Sequence, residues 1–98
     1  MTVHLVVLLS TRPGLAHRQV EAFTRLAPVV RAEEGCLRYD LHPVDGEPDR
    51  FVLLEEWASP DHLAAHAASP HMREAAPEAE EFRAGSAELL RLGPTVTG

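Results

Sequence analysis

Side chains suited to acid–base chemistry are concentrated between Glu34 and Arg73 of this 98-residue chain. Histidine is the side chain that titrates near neutral pH, as a general base must, and His66 and His71 both lie in this segment. A helical wheel places His66 at the border of the apolar face that carries Leu63. We therefore predict His66 as the catalytic base and His71, in the first turn of the next helix, as a substrate-binding residue. The structural alternatives are that His66 is an ordinary histidine at the border between the buried and exposed faces of its helix, and that His71 is a surface residue.

Trp57, Glu55 and Tyr39 lie on predicted strands, where they could line the same pocket. Trp57 and Glu55 share a strand face, so we predict Trp57 as a catalytic aromatic wall and Glu55 as a group that orients a histidine or binds a substrate hydroxyl. Tyr39 can donate a hydrogen bond to a substrate oxygen while its ring packs inside. Structural roles stay open for each residue, since Trp57 and Tyr39 could fill the core and Glu55 could pair with Arg38 across a hairpin.

The sequence shows no complete metal site and no cofactor motif. His62 and His66 are four residues apart and could reach one ion, but the third ligand would have to be His71 or a remote carboxylate. Cys36, expected to be a buried strand thiol, is the only cysteine, which excludes an intrachain disulfide and a cysteine-based metal centre. No glycine-rich dinucleotide or phosphate loop is present. We therefore predict that the protein binds no metal and no cofactor.

Composition narrows the class of protein. Hydrophobic residues make up 45% of the chain and charged residues 24%, as in a soluble globular protein. The net charge is -6, lysine is absent and the nine arginines are scattered, which argues against a nucleic-acid partner. The apolar run at 5–9 is too short to cross a membrane, and no basic segment precedes it as in a signal peptide. We expect a cytoplasmic protein without a membrane partner.

Apolar and alternating runs predict four strands, over residues 3–10, 36–42, 50–58 and 87–92. The second and third strands flank Asp45-Gly46, a strong turn signal, and therefore form a hairpin. Alternation along the second strand puts Leu37 and Tyr39 on one face and Cys36 on the other. The candidate strand residues thus belong to one hairpin.

Three helices complete the pattern. The first runs over about 15–32, with an apolar stripe formed by Ala16, Val20, Phe23, Ala27 and Val30. Ser59-Pro60 and Ser69-Pro70 each combine a hydroxyl N-cap with proline at the first helical position, so each predicts the start of a helix. We expect these two helices to turn inward the side chains of Leu63, Ala64, Ala67, Met72, Ala75, Ala76, Ala79 and Phe82.

The resulting order β-α-β-β-α-α-β fits an α+β, ferredoxin-like split β-α-β fold, in which a four-stranded antiparallel sheet carries its helices on one face. Residues 1–98 then form a single domain that ends in a short tail at 93–98. The first strand is apolar on both faces, and an uncovered apolar sheet face would be unusual in a soluble monomer. We therefore expect a homodimer joined through the sheet faces.

Three motifs occur in a characteristic order and spacing: EGCLRY at 34–39, RFVLLE-x-W at 50–57 and L-x-x-H-x-x-S-x-H at 63–71. Together they resemble the antibiotic biosynthesis monooxygenase domain family, and the resemblance covers nearly the whole chain. It implies a dimeric α/β-barrel of ferredoxin-like subunits. Members with this pattern include cofactor-free monooxygenases that oxidise quinols and polyketide hydroxyaromatics, haem-degrading enzymes, a phospho-sugar isomerase and proteins without an assigned activity.

The resemblance implies a cofactor-independent monooxygenase that oxidises a quinol or a hydroxylated aromatic with molecular oxygen. In such chemistry a base deprotonates the electron-rich substrate, and the anion reduces oxygen directly inside an apolar pocket. Two alternatives stay open: a non-catalytic ligand-binding or stress-response protein, and an isomerase whose phosphate would need cations such as Arg38 and Arg73. The chain has no asparagine, which haem-degrading and some polyketide-oxidising relatives use, and this counts against haem chemistry.

Overall fold

The elements follow one another as β-α-β-β-α-α-β in the computed structural model, which describes residues 1–97. Their bounds are β1 Val3–Ser10, α1 Ala16–Arg31, β2 Cys36–Val44, β3 Glu47–Trp57, α2 Pro60–Ala67, α3 Pro70–Phe82 and β4 Glu88–Leu92. All strand pairs are antiparallel, in the sheet order β2-β3-β1-β4. The predicted α+β, ferredoxin-like fold is therefore confirmed. Gly98, the last residue of the predicted tail, lies outside the described residues.

The core forms between the helices and one face of the sheet. Along β1, Val3, Leu5, Val7 and Leu9 alternate inward and are buried, as a period of two residues requires. Other elements complete this core with Phe51, Leu53, Trp57, Ala27, Val30 and Phe82. Each large apolar side chain stabilises the fold by roughly 1.5–3 kcal/mol when it is fully buried. This face of the sheet therefore supplies most of the hydrophobic stabilisation.

The buried stripe of α1 differs from the prediction at one position. Val20 is 49% exposed, whereas the neighbouring Gln19 is only 3% exposed. A polar side chain is accommodated here because the Nε–H group of Arg83 donates to Gln19 Oε1 at 3.2 Å and satisfies the buried amide oxygen. The predicted inward position of Val20 is wrong, since helical periodicity cannot reveal a partner that lies 64 residues away.

A bulge changes which side chains of β2 face the helices. Cys36 pairs with Trp57 and Arg38 pairs with Glu56, so Leu37 is an extra residue on β2. Leu37 is consequently 60% exposed, and Cys36 is half-buried against the core. The prediction that Leu37 shares a face with Tyr39, opposite to Cys36, is wrong, because simple alternation does not allow for an inserted residue.

The two predicted hydroxyl caps behave differently. Ser59 caps α2 as predicted, since its hydroxyl accepts a hydrogen bond from the His62 N–H group at 3.2 Å. Ser69 takes the N-cap position of α3, but its hydroxyl makes no capping bond. It donates instead to the His66 carbonyl at 2.7 Å and lies 3.1 Å from Nε2 of His71. The prediction that the Ser69 hydroxyl caps α3 is therefore wrong, because this hydroxyl binds the His66 carbonyl and lies against the His71 ring.

The inward faces of α2 and α3 are narrower than predicted. Ala64, Ala67 and Ala76 are exposed, so their predicted inward positions are wrong. Among the described residues of α2 only His66 is buried, and α3 buries Phe82. Small apolar side chains lose little free energy by exposure, and they mark an inward face less reliably than large ones.

No helix within residues 1–97 is long and apolar enough to cross a membrane.

A glycine holds the turn between α1 and β2. Gly35 has a positive φ of 81°, and a Cβ atom at this position would lie 2.3 Å from the His62 ring. The Gly35 carbonyl also accepts a hydrogen bond from the Ala58 N–H group at 2.8 Å. Only glycine combines this left-handed backbone with the close approach of α2.

The face of the sheet opposite the helices carries an apolar patch. The cross-strand register groups six aliphatic side chains there: Val6, Leu8, Val52, Leu54, Leu90 and Leu92. Leu90 and Leu92 are exposed, and the other four are half-buried. This outer patch is large for the free surface of a soluble chain.

Candidate active site

A cavity of about 230 Å³ opens between α1, α3 and the sheet. Most of its wall is apolar, with Leu9, Ala22, Phe23, Leu26, Leu41, Leu53, Ala75, Ala79 and Phe82. The polar residues in the wall of this α1–α3 cavity are Gln19, Arg25, Tyr39, His71, Glu74, Glu78 and Arg83. An apolar cavity of about 150 Å³ can hold benzene, so this one has room for a somewhat larger aromatic molecule. Apolar walls with a few convergent polar groups are typical of small-molecule sites.

Tyr39 brings a hydrogen-bond donor to the cavity. Burial and, next in size, the Glu55 carboxylate raise the pKa of Tyr39 well above its usual value, so the hydroxyl stays protonated. Its ring stacks on Phe23 with the centroids 5.4 Å apart. The Arg31 guanidinium donates to the Tyr39 carbonyl at 2.7 and 3.1 Å and holds the backbone. A protonated phenol on a fixed ring is suited to hold a substrate oxygen.

Glu33 connects two histidines next to the cavity. Glu33 lies in the turn after α1, and its Oε2 atom is 2.7 Å from Nδ1 of His66 and 2.9 Å from Nε2 of His71. His66 comes from α2 and His71 from the first turn of α3. The short junction between these helices therefore delivers both rings to one carboxylate oxygen. Glu33, His66 and His71 are termed the carboxylate–histidine cluster below.

The hydrogen bonds of this cluster determine which ring nitrogens carry protons. An ionised carboxylate only accepts hydrogen bonds, so Nδ1 of His66 and Nε2 of His71 both donate to Glu33. The Ser69 hydroxyl donates to the His66 carbonyl and accepts from Nε2 of His71, which agrees with this assignment. In neutral His71 the proton is therefore on Nε2, and Nδ1 is the basic nitrogen.

Glu55 and Trp57 lie on the other side of His66. Trp57 is fully buried, and its Nε1–H group donates to Glu55 Oε1 at 3.0 Å. The indole stacks on the His66 ring at 4.5 Å, and Nε2 of His66 is 3.9 Å from Glu55 Oε1, beyond hydrogen-bond distance. A salt bridge between Glu55 and Arg38 is excluded, because the strand register puts them on opposite faces and Arg38 donates to Asp40.

The five predicted site residues fall into two groups. Tyr39 and His71 line the α1–α3 cavity. His66, Trp57 and Glu55 are buried and do not contribute to its wall. The second group reaches the cavity through hydrogen bonds and ring contacts, since His66 shares Glu33 with His71 and packs edge-on to Tyr39. The role of His66 as the catalytic base stays a prediction.

Three residues of the site are missed by sequence reasoning: Glu33, Arg83 and the buried Gln19. Glu33 stands next to Glu34, and nothing in their spacing shows which of the two faces the histidines. Arg83 follows Phe82 at the end of α3, where a charged residue is expected to be solvated. The one sequence signal that could have identified Arg83 is its position directly after Phe82, the last apolar residue on the inward face of α3.

The carboxylate–histidine cluster also has the donor set of a metal site. Glu33 Oε2, His66 Nδ1 and His71 Nε2 all lie within 4.8 Å of one another. One carboxylate and two imidazoles suit zinc or iron, and such an ion would replace the two N–H protons that now bind Glu33. The pair of His62 and His66 considered from the sequence does not form, because His62 Nδ1 turns to Ser59 Oγ at 2.7 Å.

Comparison with known proteins places these features in a family. Residues 2–78 match the family model described as antibiotic biosynthesis monooxygenase. The chain belongs to the antibiotic biosynthesis monooxygenase family. The matched segment contains the carboxylate–histidine cluster together with Tyr39, Glu55 and Trp57, and the resemblance seen in the sequence motifs is confirmed.

Individual relatives agree with membership of the antibiotic biosynthesis monooxygenase family. Over 79 residues the chain is 35% identical to the probable quinol monooxygenase YgiN of Escherichia coli K12. The match covers 70% of this chain and 76% of the relative. Rv0793 from Mycobacterium tuberculosis has a TM-score of 0.88 at 24% identity, over 99% of this chain and 98% of its own. PA3566 from Pseudomonas aeruginosa has a TM-score of 0.87 at 24% identity, over 97% of this chain and 95% of its own. The two structures show that the fold is shared.

Proposed function

We propose that the protein is a cofactor-independent monooxygenase that oxidises a quinol or a hydroxylated aromatic with molecular oxygen. Family membership supports the monooxygenase class, and the relative named as a quinol monooxygenase supports the substrate class. The observation that carries the proposal is the α1–α3 cavity, whose apolar wall combines the Tyr39 hydroxyl with a His71 ring oriented by Glu33. An aromatic substrate would meet a hydrogen-bond donor and a base in one chamber.

The proposed reaction begins with a proton transfer. The aromatic ring packs against the apolar wall near Phe23 and Phe82, and the Tyr39 hydroxyl donates to one of its oxygens. Nδ1 of His71 takes the proton from a substrate hydroxyl, and Glu33 stabilises the resulting imidazolium through the Nε2–H bond. Deprotonation makes the substrate electron-rich enough to reduce oxygen directly.

Substrate and oxygen alone complete the electron balance. One oxygen atom bonds to a ring carbon that loses its hydrogen, the O–O bond breaks, and the second oxygen atom leaves as water. A hydroquinone and O2 thus give a hydroxyquinone and water, and the substrate supplies all the electrons. The apolar wall of the cavity keeps bulk water away from the reactive anion.

His66, Trp57 and Glu55 act from behind the cavity in this proposal. Trp57 fixes Glu55 through the Nε1–H bond and stacks on His66, and His66 in turn donates to Glu33. His66 therefore either positions Glu33 for His71 or, as predicted from the sequence, serves as the base itself. Comparison of the pH profiles of His66→Ala and His71→Ala distinguishes these roles, since the loss of the true base should be relieved when the pH is high enough for the quinol to ionise in solution.

Oxygen uptake with a panel of hydroquinones and anthrones tests the proposed function. We expect one molecule of oxygen to be consumed per molecule of substrate, with labelled oxygen appearing in the product. His71→Ala is expected to slow uptake by about 10²–10⁴-fold, as loss of a general base does, and His66→Ala and Trp57→Phe are expected to slow it as well. Uptake that none of these variants changes would contradict the assignment. Tight binding without uptake would favour a non-catalytic ligand-binding protein.

We further propose that the chain forms a homodimer through the outer patch of the sheet. Leu90 and Leu92 are exposed there beside Val6, and a second copy would cover them. Leu90→Arg places a charge within the patch and is expected to shift the sedimentation mass from two chains to one. Val96→Arg, at an exposed aliphatic residue of the tail, is the matched control. A mass of one chain for the unaltered protein at micromolar concentration would exclude the dimer.

A further inference from the structure

Arg83 is a half-buried cation in the wall of the α1–α3 cavity. Its backbone is held by a β-bridge to Thr11 and by the hydrogen bond from its N–H group to the Ala79 carbonyl at 2.9 Å. The Nε–H group donates to Gln19 Oε1 at 3.2 Å, which fixes one edge of the guanidinium. Among the described residues the Nη donors have no side-chain acceptor. The group is thus held in place while its strongest donors stay available.

Within residues 1–97 no carboxylate forms an ion pair with Arg83, although Glu74 and Glu78 line the same cavity. Arg25, the other arginine of the cavity wall, pairs with Glu78, whereas no ion pair formed within residues 1–97 includes Arg83. Burial lowers the pKa of Arg83, and the opposing influence comes from Tyr39 and not from an acid. A guanidinium nevertheless keeps its charge, and the Gln19 amide oxygen compensates a half-buried charge only in part. The arrangement therefore favours an anion supplied by a ligand.

We propose that Arg83 and Gln19 form an anion subsite that recognises an ionised oxygen on the aromatic ligand. The inference rests on the proposed function, because it names the substrate class of the same cavity: aromatic acids and ionised hydroxyquinones or phenols, in preference to neutral aromatics. Arg83 lies outside the segment at 2–78 that matches the family model. The match to the family model therefore does not cover the cation of this subsite.

The apolar surroundings of the subsite make it selective for charge. Hydrogen bonds between a guanidinium and an anionic oxygen are roughly twice as strong as neutral ones, and a low local dielectric strengthens them further. A neutral ligand of the same shape would fill the cavity but leave the guanidinium without an anion. Tyr39 lines the same cavity as Arg83, so the neutral hydroxyl of Tyr39 and the guanidinium face one ligand chamber.

Binding of 2-hydroxy-1,4-naphthoquinone and 2-amino-1,4-naphthoquinone tests the subsite. The two compounds have nearly the same shape, but the hydroxy compound is ionised at neutral pH and the amino compound is neutral. We expect equilibrium dialysis at neutral pH to show binding of the hydroxy compound that is about tenfold tighter or more. Because both compounds are already quinones and the measurement records binding at equilibrium, it does not require catalysis.

Two variants remove the unpaired positive charge in different ways. Arg83→Gln deletes it, whereas Gln19→Glu retains Arg83 but supplies a carboxylate at hydrogen-bond distance, so that the charge is neutralised inside the chain. In both variants we expect the hydroxy compound to bind no more tightly than the amino compound. Binding of the amino compound itself is expected to change by less than about twofold. Gln19→Glu adds an ion pair, and it keeps the test decisive if Arg83→Gln fails to fold. Arg73→Gln removes an arginine outside the cavity and should retain the preference.

The outcomes separate the subsite from the proposed function. Equal binding of the two compounds, or a preference that persists in both Arg83→Gln and Gln19→Glu, would overturn the subsite and leave the proposed function intact. Failure of both compounds to bind the unaltered protein would overturn the subsite and also count against an aromatic substrate.

Discussion

Glu33→Gln is expected to lower the turnover of a quinol substrate at least about 100-fold, with little change in KM. One carboxylate oxygen accepts N–H bonds from both His66 and His71. The amide oxygen of glutamine is neutral and cannot stabilise a His71 imidazolium to the same extent. The amide N–H groups can also donate to Nε2 of His71, which moves the proton to Nδ1, the nitrogen proposed to act as the base. Steady-state oxygen uptake measures the effect.

Glu34→Gln is the matched control, because it makes the same change of charge one residue away. Glu34 is 95% exposed along its side chain, and the Nε2 atom of His62 lies 3.9 Å from its carboxylate. Its turnover should equal that of the unaltered protein, and normal turnover in Glu33→Gln would contradict the role of the cluster. Unchanged binding of 2-amino-1,4-naphthoquinone would show that the cavity is intact. Uptake that a chelator abolishes would point instead to a metal ion held by the cluster.

Trp57→Phe is expected to lower the free energy of unfolding by roughly 2–4 kcal/mol. Trp57 is fully buried, so a smaller ring leaves a void against His66. The change also removes the Nε1–H group that donates to Glu55, whose carboxylate is then buried without its donor. Urea unfolding at a fixed protein concentration measures the loss, since an oligomer would make stability depend on concentration.

The double variant Trp57→Phe with Glu55→Gln separates the two causes. A neutral amide is less costly to bury without a partner than a carboxylate, so the double variant should recover about 1 kcal/mol or more relative to Trp57→Phe alone. Tyr39→Phe is the control, because it removes the hydroxyl of a buried aromatic that faces the cavity, and it should cost less than about 1 kcal/mol. Absence of recovery would assign the whole loss to packing.

Local sequence signals predicted most of the fold because the physics of those signals is local. The apolar run of β1, the turn at Asp45-Gly46 and the Ser59-Pro60 start of α2 each act through neighbouring residues. The errors arose where a distant residue decides the outcome. Gln19 is buried only because Arg83 reaches it from the end of α3, and the bulge at Leu37 depends on the pairing of β2 with β3.

The candidate site could be predicted only in part from the sequence, because some of its contacts join residues that are far apart in the chain. His71 and Tyr39 were identified from their chemistry, and the structure places both in the cavity wall. Their roles stay predictions. Glu33 reaches His66 across 33 residues and His71 across 38, so its function emerges only when α1, α2 and α3 are assembled. No spacing rule within one element could have selected it over Glu34.

Gly35 sets a condition for transplanting this chemistry into another scaffold. Its missing side chain lets His62 of α2 lie directly against the turn that carries Glu33, and the turn also accepts the Ala58 N–H bond at the end of β3. A protein engineer who grafts the three ionisable residues therefore has to graft the glycine, α2 and the end of β3 as one block. With any larger residue at this position, α2 would be displaced, and His66 would move away from its carboxylate.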